Sequence, residues 1–262
     1  MSITVPYART GRSHARLILA LVLALIVLAV AGLRLASPGP LISYIAADYL
    51  DASSSAPDKA SPRPSLLFDM ETEPVIEGAI LDKWHRVRTD ITGEFDALRH
   101  CLEGHPCPPA ARRLLDISAE GAGRKDRARV GLINRAVDMA ISPTSDERQW
   151  GETDRWSTPF ETLQSRRGDC EDYAILKYVA LLAAGVPAAD VKIVILKHLL
   201  PREDHAAVAA RVDGEWLILD NLTLTLVSDT DLARTIPEFV LDQDGARRFL
   251  WGSRSRRSAS AS

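Results

Sequence analysis

The stretch GDCEDYAILKY, Gly168 to Tyr178, sets one cysteine among three carboxylates, Asp169, Glu171 and Asp172, where a helical apolar pattern begins. A cysteine at a helix N-terminus is a candidate nucleophile, because the free N–H groups and the positive end of the dipole favour its thiolate. Carboxylates oppose the thiolate, so the acids need a reason of their own. Two residues further on complete a nucleophilic set. His205 opens the run HAAVAARV and Asp220 closes EWLILD, with Asp213-Gly214 between the two runs. That dipeptide signals a two-residue hairpin. Its register sets Val212 opposite Glu215, Ala207 opposite Asp220 and His205 opposite Leu222. His205 and Asp220 are then diagonal neighbours on one face, roughly 7–8 Å apart at the backbone, which a side-chain hydrogen bond spans.

The three residues have complementary roles. Cys170 attacks, His205 serves as base and later proton donor, and Asp220 orients the imidazole and stabilises its cation. The backbone N–H of Cys170 is a candidate oxyanion donor. Each residue taken singly has a plainer reading: a structural cysteine, a histidine at a strand start, an aspartate at a turn. Their combination in one register favours the catalytic reading. Asp169 reads as the N-cap of the Cys170 helix, and Glu171 and Asp172 sit favourably in its first turn. Ala207, Ala209, Trp216 and Ile218 share the hairpin face of His205 and are expected to pack on that helix, the alanines leaving room for the nucleophile.

These residues need elements to hold them. Apolar spacing through Leu81, Trp84, Val87, Ile91, Phe95 and Leu98 predicts a helix over 80–102. Cys101 and Cys107 flank a turn and can pair. Further helices are expected over 109–118 and 124–141, then a short one opened by Thr158-Pro159 and ending near Gln164. The Cys170 helix should reach Ala184, with Gly185 as its stop. VKIVIL (191–196), HAAVAARV (205–212) and EWLILD (215–220) read as strands. Helices first and an antiparallel sheet afterwards is an α+β order.

Before this lies a different kind of sequence. Arg9, Arg12 and Arg16 precede an apolar run from Leu17 to Leu33, which Arg34 closes. It reads as a signal peptide or a membrane anchor within residues 1–36, and the basic flank places its N-terminal end in the cytoplasm. Everything after it is then exported, where a disulfide can form. Residues 37–65 read as a flexible linker, 66–250 as the folded domain and 251–262 as a disordered tail. The chain of 262 residues is 46% hydrophobic with a net charge of -3, which fits a globular domain and gives no electrostatic reason to expect a nucleic-acid partner. Three cysteines are too few for a disulfide scaffold.

Cysteine at a helix start, histidine opening one strand and aspartate closing the next is the order of the transglutaminase-like, papain-related thiol fold. Within it the chain resembles the bacterial transglutaminase-like cysteine proteinases. The matching stretches are LINRAVDMAI (132–141), WGETDRWSTPFETLQSRRGDCEDYAILKY (150–178), LLAAGVP (181–187) and HAAVAARVDGEWLILDN (205–221). The resemblance implies an α+β fold with N-terminal helices packed on an antiparallel sheet, and Cys170, His205 and Asp220 as catalytic residues. It implies a periplasmic endopeptidase that cuts a large surface adhesin near an Ala-Ala pair, dispersing a biofilm. It implies an inhibitory partner, the periplasmic domain of a cyclic-di-GMP receptor, and a Ca²⁺ cofactor at Asp169 and Glu171, with Asp172 a further candidate. Calcium suits such a set, since it takes several oxygen ligands, and its charge would offset the acids around the thiol. An acyltransferase using the same acyl-enzyme, or a non-catalytic binding module, are the competing functions.

Overall fold

The computed structural model describes residues 66–200 and 202–251. The apolar run 17–33, the linker 37–65 and the tail from 252 onward lie outside them. Among the described residues no helix is long and apolar enough to cross a membrane.

Helix α1 (Ala79–Leu102) buries Leu81, Trp84, Val87, Ile91 and Leu98, the expected stripe, but Glu94 also turns inward while Phe95 is only partly covered. Cys101 and Cys107 form a disulfide across the turn that follows. Helix α2 (Pro109–Ala122) runs past the predicted stop at Ser118 and straight through Gly121. Packing explains this: a Cβ at Gly121 would come within 2.5 Å of Ile133 Cδ1 on α3 (Asp126–Ala140), so the glycine admits the neighbouring helix rather than breaking its own. Two short helices follow, α4 (Asp146–Gln149) and α5 (Pro159–Ser165). Helix α6 (Cys170–Ala183) is apolar almost all round and is buried from Asp172 to Leu181. It ends as expected at Gly185, where the Gly185 and Val186 N–H groups donate back to Leu182 and Leu181.

The strands are β1 (Thr72–Pro74), β2 (Ser142–Pro143), β3 (Arg167–Gly168), β4 (Val191–Leu199), β5 (Arg202–Val212), β6 (Glu215–Leu219), β7 (Val227–Ser228), β8 (Thr235–Asp242) and β9 (Gly245–Phe249). Seven of them form one antiparallel sheet in the order β1-β9-β8-β4-β5-β6-β7, while β2 and β3 pair in parallel beside it. The architecture is the expected α+β one, N-terminal helices packed on an antiparallel sheet. The β5–β6 register is the predicted one, from Val212 opposite Glu215 to Val208 opposite Leu219. Asp213 and Gly214 both have positive φ, as a type I′ turn requires. Strands β8 and β9 have no counterpart among the sequence expectations. Pro237 argues against a central strand, and it is tolerated here because it lies where the β4–β8 register shifts.

One expectation is reversed. Ala206, Val208, Ala210 and Leu219 share the core with α6, whereas Ala207, Ala209, Trp216 and Ile218 face the opposite side of the sheet. There they pack with Leu67, Phe68 and Met70 from the start of the described chain. The residues alternate as expected, but which face meets a helix depends on the neighbouring strands, which a hairpin alone does not specify.

Candidate active site

Cys170 owes its position to what precedes it. Helix α5 begins with a capping box: Thr158 Oγ1 accepts from the Glu161 N–H, and the Glu161 carboxylate accepts from the Thr158 N–H. Glu94 reaches from α1 to accept from the Phe160 N–H, fixing the same helix end. Arg166 closes α5 in the left-handed region, and β3 then pairs with β2. The chain therefore enters α6 along a fixed path. Asp172 tightens it, accepting from the Ser157 N–H at 2.8 Å and from Ser157 Oγ at 3.3 Å.

The acids separate into two groups. One oxygen each from Asp146, Asp169 and Glu171 can be chosen so that all lie within 4.8 Å of one another. Asp172 is not brought into this group; it is fully buried on the Ser157 side. Asp146 takes the third place. It lies in SPTSDERQW, and nothing in its spacing to Cys170 marks it, because the β2–β3 pairing is what brings the two segments together. Asp169 occupies the N-cap position of α6, but its side chain makes no capping bond, contrary to expectation. Its Oδ1 is buried with no hydrogen-bond partner among the described residues.

Burial raises all three carboxyls above the ordinary range, and the Glu171 charge adds to the effect on Asp169. Crowded carboxylates of this kind, Asp146 buried and Asp169 and Glu171 half-buried, one with an orphaned oxygen, match the all-oxygen donor set of a hard cation such as Ca²⁺. Capping does not account for that oxygen.

The Cys170 thiol donates to Glu171 Oε2 at 3.0 Å. Burial pushes its pKa well up and the Glu171 charge pushes it further, while the Ala206 backbone N–H works in the other direction. Across the cleft, His205 Nε2 lies 2.9 Å from Asp220 Oδ1, which also accepts from the Leu222 N–H at 2.9 Å. Both side chains are buried. Burial is the largest single influence and opposes the Asp220 charge, but the His205 hydrogen bond and charge, the Leu222 N–H and the Lys177 charge together outweigh it and hold the carboxyl below its usual range. Beneath them the Lys177 ammonium lies 2.7 Å from Asp138 Oδ1, almost wholly buried, and its charge also favours ionised Asp220.

Cys170 and His205 line the same cleft, of about 370 Å³. Ile80, Trp156, Ile195 and Phe239 give it an apolar lining, and Asp204 and Glu238 add acidic groups.

The chain belongs to the bacterial transglutaminase-like cysteine proteinase family, BTLCP, whose model matches residues 108–256, more than half of its length. Among solved structures it is similar to Legionella pneumophila LapG, at 20% identity over 65% of this chain and 88% of that one, with a TM-score of 0.38. It is similar also to the calcium-bound LapG, at 20% identity over 70% and 94% with a TM-score of 0.39. The EGTA-treated form matches at 20% identity over 68% and 88%, again with a TM-score of 0.39. No curated protein matches.

Proposed function

We propose that the chain is a calcium-dependent periplasmic cysteine endopeptidase acting on a large surface adhesin near an Ala-Ala pair. Its class, a bacterial transglutaminase-like cysteine proteinase, follows from the family; the finer reading is supported chiefly by the His205–Asp220 hydrogen bond at 2.9 Å in a cleft shared with Cys170.

In this reading Asp220 holds His205 through Nε2, leaving Nδ1 for the thiol proton. As that proton moves to Nδ1, Cys170 Sγ attacks the scissile carbonyl, and the oxyanion is met by backbone N–H groups at the start of α6. The imidazolium then protonates the leaving amine and the acyl-enzyme forms. Water, deprotonated by His205, attacks the thioester and expels the thiolate, releasing the new carboxyl terminus.

Asp146, Asp169 and Glu171 would hold the calcium ion, whose positive charge beside the thiol would offset theirs. The reading carries with it export by the 17–33 run and control by the periplasmic domain of a cyclic-di-GMP receptor. Incubation with an adhesin N-terminal fragment tests it: the wild type should cut beside the Ala-Ala pair and Cys170→Ala should not. Cleavage by the Cys170→Ala variant would overturn the assignment, and cross-linking in place of cleavage would redirect it to acyl transfer.

A further inference from the structure

Among the described residues His205 makes one side-chain hydrogen bond, from Nε2 to Asp220. The ring is buried, so its remaining orientation is set by what packs against it. One of those neighbours is a second imidazole. The His198 and His205 ring centroids are 4.8 Å apart, with the planes inclined by 55°. The register produces this contact: Leu196 lies opposite His205 and His198 opposite Glu203, so positions 198 and 205 are diagonal neighbours on one face of the β4–β5 pair. The diagonal offset brings long or aromatic side chains together where shorter ones would leave a gap.

The chemistry of His198 points the same way. Its Nε2 is buried and has no hydrogen-bond partner among the described residues. A buried imidazole nitrogen that bonds to nothing is ill explained as a polar contact. It is well explained if the ring is kept for its flat face. The titratable groups around the pair are Asp220 just after β6, Cys170 on α6, Glu203 and Asp204 on β5, and Lys197 on β4, whose ammonium lies 3.0 Å from Asp204 and 3.3 Å from Glu238 of β8. Lys197 thus answers the cleft acids, and the His198–His205 contact is left as one of ring against ring.

We infer that His198 is a positioning residue: its ring, packed against His205, sets the plane in which His205 presents Nδ1 to the cleft and to Cys170. The inference deepens the protease reading and rests on its assignment of His205 as base. Asp220 fixes where the imidazole is anchored, and His198 fixes how it is turned.

Because Cys101 and Cys107 are paired, Cys170 is the single free thiol and its alkylation by iodoacetamide reports its activation without any substrate. The test compares the full chain with His205→Ala, His198→Ala and His198→Phe in calcium buffer at pH 7, with melting temperatures measured alongside. His198→Ala should slow alkylation on the order of tenfold, as expected when a reacting group is misaligned, and should broaden the NMR signals of the His205 ring. His198→Phe, which keeps a flat ring, should restore both to near wild type. Wild-type alkylation and a sharp His205 signal in His198→Ala would overturn the inference. So would equal impairment of the Ala and Phe variants, or a loss that tracks melting temperature alone. If His205→Ala itself alkylates at the wild-type rate, the catalytic assignment fails instead, and the two failures are thereby told apart.

Discussion

A Cβ placed on Gly168 would stand 2.6 Å from the Asp172 Cβ, closer than side chains approach. The two residues bracket Cys170, so this contact sets how the chain turns into α6. Gly168→Ala must push Asp172 off Ser157 or shift the loop that carries the thiol. It should cost about 1–3 kcal/mol in urea unfolding, the range for overpacking a tight site, and lower the rate of peptide cleavage. Unchanged stability would mean that the loop yields freely.

Asp220→Asn keeps the shape of the site but removes the charge that the His205 imidazolium needs. Cleavage kcat should fall on the order of 100-fold or more, with KM little altered, because the partner acts on the imidazole and not on bound peptide. A change confined to KM would contradict the orienting role.

Calcium binding separates the acids. Asp146→Asn, Asp169→Asn and Glu171→Gln should each weaken Ca²⁺ affinity at least roughly tenfold by calorimetry, since each removes a charged oxygen donor. Asp172→Asn should bind calcium like the wild type and lose stability instead, because it loses acceptor strength towards Ser157. Equal loss of affinity in Asp172→Asn would place that residue in the metal site after all.

Glu94 makes stability depend on pH. Burial, opposed by bonds from Thr158 and Phe160, raises its pKa from 4.5 to about 7. Between those values the folded protein binds more protons than the unfolded chain, so this contribution is present at low pH and lost as pH rises to about 7. Relative to the wild type, Glu94→Gln should therefore gain up to about 3 kcal/mol between pH 4.5 and 7. A constant difference across that range would show that Glu94 stays ionised throughout.

Lys177 and Asp138 form a buried ion pair under the site. Lys177→Met strands the Asp138 carboxylate and should cost about 3–5 kcal/mol. Adding Asp138→Asn removes the stranded charge and should recover most of that loss. Additive damage in the double variant would mean that the pair matters through packing alone.

The catalytic register was legible because it depends on local chemistry: Asp213-Gly214 dictates a two-residue turn, and the turn dictates that His205 and Asp220 share a face. The helix carrying Cys170 was legible for the same reason, its apolar run being bounded by Gly168-Asp169 and Gly185. What escaped depends on distant partners. Asp146 joins the acids only through the β2–β3 pairing, and Asp172 leaves them because Ser157 claims it. The face of the hairpin that meets α6 is set by β4 and β8, and β8 itself was hidden by Pro237. His198 carried no motif at all, since its contact with His205 exists only once β4 and β5 are aligned.

The far side of the sheet is covered in part by Leu67, Phe68 and Met70. A protease nick or an expression boundary placed only a few residues too late would leave Trp216, Ile218 and Phe249 without that cover. Such a truncated product would keep every residue of the catalytic machinery and still be prone to aggregate. The packing of Leu67, Phe68 and Met70, ahead of the first helix, is therefore as much a part of the fold as the helices themselves.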